Sequence, residues 1–377
     1  MKMGWMTSGA RRLECGSLLP LSVATDPKAP ASRRTPNASR RRNQSAFSGQ
    51  HAARLLIALA FCGPLATSAS AGEQTPAEKL YATASRASFE VLVDERLEGS
   101  GWFADPQGLG FTAAHVVERP GRKVELMSPE IGRLAAAVVA VDRGNDLVLL
   151  KVEARPGGYP VLPLAQQAPH VGQEVYLYSA SLFRHGLLQR GMVAREGASF
   201  EYYADPPGYV RLMHLAATVQ GSSSGGPWLN PQGEVVGVQS RTMSLSGAPV
   251  GVAYMSLADA ARKLLKTRQT AATPTLGAAL EEAWEQDHAF WDRFPPRTEG
   301  LVAKSLQADG PAARAGLKQW DVITAAAGQK VRLRDELLRL VCARQPGETL
   351  LLSVLRPDGA GTAEIPVVLG KLEAGWP

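Results

Sequence analysis

Cysteine is scarce. The 377-residue chain has three, Cys15, Cys62 and Cys342, too few and too far apart for a disulfide framework or a zinc-ligand cluster. Cys342 is expected to be an unpaired thiol buried on a helix. Histidine is almost as thin. Besides His115 there are His51, His170, His185, His214 and His288, dispersed without ligand spacing, so neither a metal nor another cofactor is expected. Long apolar runs are missing too. Leu55-Leu56-Ile57-Ala58-Leu59-Ala60-Phe61-Cys62 is too short for a membrane span, and none is expected once a leader is removed. Excess positive charge is confined to one end: residues 1–71 hold ten Lys/Arg and two Asp/Glu, the remainder 31 and 33. That split excludes a nucleic-acid partner for the body of the chain.

What is present begins with an N-terminal segment rich in Arg, Ser and Pro. The basic flank, the short apolar core and Ala69-Ser70-Ala71 form a secretory signal pattern, so residues 1–72 are expected to be a leader and the mature protein periplasmic or secreted. Residues 73–88 predict a short helix. Many short apolar stretches divided by turns follow, among them Phe89-Glu90-Val91-Leu92-Val93, Leu109-Gly110-Phe111-Thr112-Ala113, Leu147-Val148-Leu149-Leu150 and Val235-Val236-Gly237-Val238. Such spacing argues for barrels or sandwiches. A strand is expected over Leu215-Ala216-Ala217-Thr218-Val219 and a closing helix over 257–265.

Between two of these strands lies Gly221-Ser222-Ser223-Ser224-Gly225-Gly226-Pro227, a small-residue turn suited to exposing a side chain while backbone approaches a ligand. A serine nucleophile needs a base. His115 follows Thr112-Ala113-Ala114, and Asp146 precedes Leu147-Val148-Leu149-Leu150-Lys151-Val152. The order His115, Asp146, Ser224, with these local sequences, resembles the trypsin-like (chymotrypsin-fold) serine peptidases. The resemblance implies an all-β double β-barrel, and roles for Ser224 as nucleophile, His115 as base and Asp146, in preference to Asp142, as the carboxylate that orients it.

The turn departs from the family's Gly-x-Ser-Gly-Gly. Ser222 stands in place of the glycine whose N–H, with that of Ser224, forms the oxyanion hole. A left-handed backbone there costs a serine about 1–2 kcal/mol, whereas losing one oxyanion donor removes about 3–4 kcal/mol of transition-state stabilisation. The resemblance places the base of the specificity pocket at Thr218 and one wall at Val238, Gln239 and Ser240. None of these is acidic, so a small or medium aliphatic P1 residue is expected.

Residues 277–373 form a second unit. Asp309-Gly310-Pro311-Ala312-Ala313-Arg314-Ala315-Gly316-Leu317-Lys318-Gln319-Trp320-Asp321-Val322-Ile323 resembles a bacterial PDZ domain, a small α+β fold, with Trp320 where glycine is usual. A helix is expected over Leu333–Cys342, and strand addition of an extended peptide beside Gly300, Leu301 and Val302. The stretch with Trp284, Trp291 and Phe294 is expected to pack as a helix against the barrel, with a partner contact as the alternative. A protease domain (73–265), a linker (266–276) and a PDZ domain resemble the HtrA/Deg group. That resemblance implies an endopeptidase of unfolded or misfolded extracytoplasmic proteins, with unfolded polypeptides or protein C-termini as partners and a homotrimer or larger assembly using residues 73–90. The alternative is a catalytically silent adaptor that binds extended peptides, suggested by the Ser222-Ser223 departure.

Overall fold

The computed structural model describes residues 74–117, 121–204 and 207–372. The leader, its cleavage site, Cys15 and Cys62 lie outside the described residues. The expected first helix is α1 (Pro76–Ala87), opened by a Thr75/Glu78 capping box and by Pro76, and turning Leu80, Ala84 and Ala87 inward.

Six strands then close into a barrel. They are β1 (Ser88–Val93), β2 (Arg96–Asp105), β3 (Leu109–Ala113), β4 (Val124–Ser128), β5 (Gly132–Asp142) and β6 (Leu147–Val152), hydrogen-bonded in the order β1-β2-β3-β6-β5-β4 with β4 returning to β1. The continuous apolar run of β6 has two destinations. Val148, Leu150 and Val152 fill the barrel with Phe89, Phe103 and Leu126. Leu147 and Leu149 point the other way, into a cluster with Trp102, Phe111, Leu229, Val235 and Val238, sealed by α1 and the later helix α2 (Ala258–Thr267). A strand buried on both faces cannot alternate apolar and polar, which is why this one reads as unbroken hydrophobics.

The second sheet contains β7 (Glu174–Ser179), β8 (Leu187–Val193), β9 (Ser199–Ala204), β10 (Pro207–Ala216), β11 (Pro227–Leu229), β12 (Val235–Leu245) and β13 (Ala248–Leu257), in the order β13-β12-β11-β7-β8-β10-β9, with β10 also paired to β13. β10 stops at Ala216, so the strand expected through Val219 is shorter than its apolar residues suggest: the Ala217 N–H still bonds to the Gly251 carbonyl of β13, but Thr218 beyond it is exposed. α2 (Ala258–Thr267) follows. The stretch expected as linker is tied down, because the Ala271 N–H donates to the Val141 carbonyl and Thr270 Oγ1 accepts from the Val141 N–H.

The PDZ unit comprises β14 (Pro274–Thr275), β15 (Ala278–Glu282), α3 (His288–Trp291), β16 (Leu301–Leu306), α4 (Pro311–Arg314), β17 (Val322–Ala326), β18 (Gln329–Lys330), α5 (Arg334–Cys342), β19 (Thr349–Leu355), β20 (Thr362–Val368) and β21 (Gly370–Lys371). Its sheet runs β15-β16-β17-β19-β20, with β18 on β17 and a separate β14–β21 pair. Two expectations need correcting here. The aromatic stretch packs on its own domain, with Phe290, Trp291 and Trp320 gathered around Phe294, Val302 and Val322 rather than on the barrel. Cys342, expected to be buried, is exposed. Trp320 does take the glycine's positive φ, at 74°.

Among the described residues no helix is long and apolar enough to cross a membrane. Among the same residues no cluster of His, Cys, Asp and Glu is placed to hold a metal ion.

Candidate active site

His115 lies on the single turn Ala114–Val117 that ends β3. Asp146 immediately precedes β6, in the left-handed region at φ 50°. That conformation is set by its neighbour: Asp142 caps the Arg143–Asn145 turn, accepting from the Asn145 N–H at 3.2 Å and from its amide at 2.9 Å. Asp142 is thereby used in shaping the turn, and the carboxylate that meets His115 is Asp146. β3 and β6 are paired, so the two residues arrive side by side.

The contacts run in one line. Asp146 Oδ2 accepts from His115 Nδ1 at 2.8 Å, and Asp146 Oδ1 accepts from the His115 N–H at 3.0 Å. His115 Nε2 lies 2.9 Å from Ser224 Oγ. Because Nδ1 carries its proton toward the carboxylate, Nε2 is left as the acceptor for the serine hydroxyl. That hydroxyl has a second acceptor, the Ser240 carbonyl at 3.1 Å. Asp146 is 4% exposed. Burial pushes its carboxyl upward, but the His115 ring and its hydrogen bond, the Arg241 charge and the Ser240 hydroxyl outweigh burial and hold it at about 2.

Ser240 was legible only as a pocket-wall candidate. Its hydroxyl donates to Asp146 Oδ2 at 2.5 Å and lies 3.0 Å from the Tyr203 hydroxyl. Since the Ser240 proton goes to the carboxylate, Tyr203 is the donor in the second bond. The other expected wall residues are turned inward. Val238 is fully buried among Trp102 and Leu229, and the Gln239 amide is used by Trp228 Nε1 and the Arg241 carbonyl. Thr218 is exposed, and its carbonyl accepts from the Gln189 amide at 3.3 Å.

From Gly221 to Ser224 the turn has its carbonyls engaged. Gly221 O accepts from the Leu182 N–H at 2.9 Å, Ser222 O from the Ser100 hydroxyl at 3.1 Å, Ser223 O from the Gly226 N–H at 3.0 Å and Ser224 O from the Ser100 N–H at 2.8 Å. With the carbonyls pinned, the N–H groups face the opposite way. Among the described residues neither the Ser222 nor the Ser224 N–H has an acceptor within the chain. Ser222 takes φ +67°, the left-handed conformation expected to be costly for serine. Ser223 is buried, with its hydroxyl 2.5 Å from that of Ser181. The turn also needs two glycines: a Cβ on Gly99 would sit 2.7 Å from Ser224 O, and one on Gly225 would sit 2.1 Å from Ser100 O.

A profile for the trypsin-like peptidase domain matches residues 99–238, and one for the PDZ domain matches residues 274–367. The chain carries a trypsin-like peptidase domain followed by a PDZ domain. Among curated proteins this protease–PDZ chain is similar to a probable periplasmic serine endoprotease DegP-like of Pseudomonas fulva, 29% identical over 273 residues, covering 71% of this chain and 55% of the relative. A relative of the same description in Halomonas elongata is 30% identical over 269 residues, covering 70% and 54%. The chain thus spans about half the length of the curated relatives it matches. The fold is shared with the serine endoprotease from Yersinia pestis (TM-score 0.56, 20% identity, 80% of this chain and 100% of that one). It is shared also with the HtrA-type protease AlgW solved with a decapeptide (TM-score 0.60, 18% identity, 80% and 99%).

A second Ser–His pair in the protease domain has a different character. His214 meets Ser199 Oγ at 3.2 Å and Glu201 at 3.0 Å. Ser199 sits inside the β9–β10 ladder and is 2% exposed, so its hydroxyl cannot meet a substrate.

In the PDZ domain the expected peptide edge is corrected. Leu301 and Val302 lie on β16, which is hydrogen-bonded to β15 on one side and β17 on the other, so no strand can be added beside Gly300, Leu301 and Val302. The open edge next to α5 belongs to β15.

Proposed function

We propose that this chain is a serine endopeptidase acting outside the cytoplasm on unfolded or misfolded polypeptides. Ser224 is the nucleophile, His115 the general base and Asp146 the carboxylate that fixes the ring's tautomer. His115 Nε2 takes the hydroxyl proton as Ser224 Oγ attacks the scissile carbonyl, then returns it to the departing amine; water repeats the cycle on the acyl-enzyme. The Ser222 and Ser224 N–H groups receive the developing oxyanion. The observation that carries this reading is the His115 ring, bonded on one side to a buried carboxylate and on the other to the hydroxyl of a turn whose carbonyls from Gly221 to Ser224 are engaged. Relatives named as probable periplasmic serine endoproteases support the location and the endopeptidase reaction.

The reading includes a double barrel, the second one formed where β10 pairs with β13. It divides the chain as a leader (1–72), a protease domain (73–265), a linker (266–276) and a PDZ domain (277–373). The pocket is read around Thr218 with backbone of 238–240, favouring a small or medium aliphatic P1 residue. The PDZ domain adds an extended peptide along Ala278–Glu282, with α5 as the other wall.

The test is hydrolysis of an unfolded protein substrate by residues 74–377 and by the Ser224→Ala variant. The reading expects cleavage by the former and loss of about 10⁴-fold or more in the latter. Equal cleavage by both, or none by either with peptide binding intact, favours the silent adaptor.

A further inference from the structure

We propose that Ser100 is a positioning residue for the oxyanion site, its hydroxyl holding one of the two peptide planes that flank Ser222. The inference rests on the reading of Ser224 as nucleophile.

The φ and ψ angles of Ser222 together set the orientation of the Gly221–Ser222 plane relative to the Ser222–Ser223 plane. A left-handed serine persists only where its surroundings over-determine it. Here each plane is held by one bond. The first carries the Ser222 N–H and is fixed through Gly221 O by the Leu182 N–H at 2.9 Å. The second is fixed through Ser222 O by Ser100 Oγ at 3.1 Å. The direction of that hydroxyl is itself fixed, because Ala180 N–H donates to Ser100 Oγ at 3.0 Å and leaves the proton for Ser222 O.

Ser100 is anchored to do this. It is 2% exposed, its N–H donates to Ser224 O at 2.8 Å, and its carbonyl accepts from Thr112 Oγ1 at 2.8 Å. One residue of β2 therefore grips the turn on both sides of Ser223. The seam is otherwise backbone against backbone, since Gly99 and Gly225 leave no room for a Cβ. Without the hydroxyl, the second plane is free to turn, Ser222 relaxes toward ordinary negative φ, and the N–H donors lose their common direction.

The test is steady-state kinetics on a peptide substrate, with affinity for a peptide aldehyde, which binds through an oxyanion. Ser100→Ala is expected to lower kcat by about 10–100-fold, to leave KM within about twofold, and to weaken the aldehyde in step with kcat. Ser222→Gly in the Ser100→Ala background is expected to recover most of the loss, because glycine needs no holding in that conformation. Should Ser100→Ala not fold, Ser100→Cys keeps the volume, weakens the donor and is read the same way. A kcat within twofold of wild type in Ser100→Ala, or a loss that Ser222→Gly does not relieve, overturns the role of Ser100 while leaving the peptidase reading in place. A wild-type chain without hydrolysis removes both.

Discussion

The Tyr209 hydroxyl of the protease domain meets both backbone groups of Leu280 on the PDZ edge strand: it accepts from the N–H at 2.8 Å and donates to the carbonyl at 3.3 Å. Burial holds this phenol well above its usual range, so it stays a neutral donor. Beside it, Asp335 on α5 accepts from Arg195 at 2.5 Å and from the Phe200 N–H at 3.1 Å. Two of the backbone groups that a peptide would use on β15, those of Leu280, are therefore already satisfied by Tyr209 of β10. Two bonds worth about 1 kcal/mol each must be exchanged before a strand can add. Tyr209→Phe is expected to tighten binding of an apolar C-terminal peptide by about tenfold, measured by fluorescence anisotropy. Unchanged affinity would show that the peptide goes elsewhere.

Ser222→Gly removes the left-handed penalty. It is expected to stabilise the protein by about 1 kcal/mol, raising the thermal midpoint by a few degrees. In the otherwise wild-type chain, where both flanking planes are held, kcat is expected to stay within about threefold. A lower melting temperature would mean that the serine side chain contributes something the turn requires.

Much of the site was legible because each catalytic candidate carries a local signature: Thr112-Ala113-Ala114-His115, Asp146 before an apolar strand, Ser224 before Gly225-Gly226-Pro227. What joins these segments was not. Ser240 and Tyr203 support Asp146 through contacts between distant strands, and nothing adjacent to either residue marks it. Ser100 sits between Gly99 and Gly101 within β2, and neither neighbour points to the turn it grips. The PDZ edge was misread because Leu301-Val302 and Ala278–Glu282 compete on different information. The first is strongly apolar and strand-like by composition. The second, with Glu281 and Glu282, becomes a strand through its pairing with β16. Apolar character marked the strand that is buried between two others, and so the one with no edge to offer.

Asp146→Asn is expected to lower kcat by about 10³–10⁴-fold, because the ring loses its fixed tautomer. The same variant tests acid stability. The folded carboxyl, at about 2, lies below the ordinary value of 3.8. Its stabilisation is thus fully present above about pH 4 and is lost as pH falls toward 2, an amount of roughly 2 kcal/mol. Unfolding followed from pH 5 to 2 is expected to steepen with acid in the wild type and to be flatter in the variant. Parallel curves would assign the acid sensitivity to other carboxylates.

Ser240→Ala leaves Asp146 and Tyr203 each short of one partner. It is expected to reduce kcat by about tenfold and to cost about 1–3 kcal/mol of stability. Wild-type kinetics in this variant would make the Ser240–Asp146 bond incidental.

The proton path from Ser224 to His115 is measured most directly by the intact mass of the protein after reaction with a fluorophosphonate probe. One adduct is expected, located at Ser224 by peptide mapping, absent in Ser224→Ala and slowed by several orders of magnitude in His115→Ala. An adduct on another serine, or equal labelling rates with and without the His115 imidazole, would contradict the account.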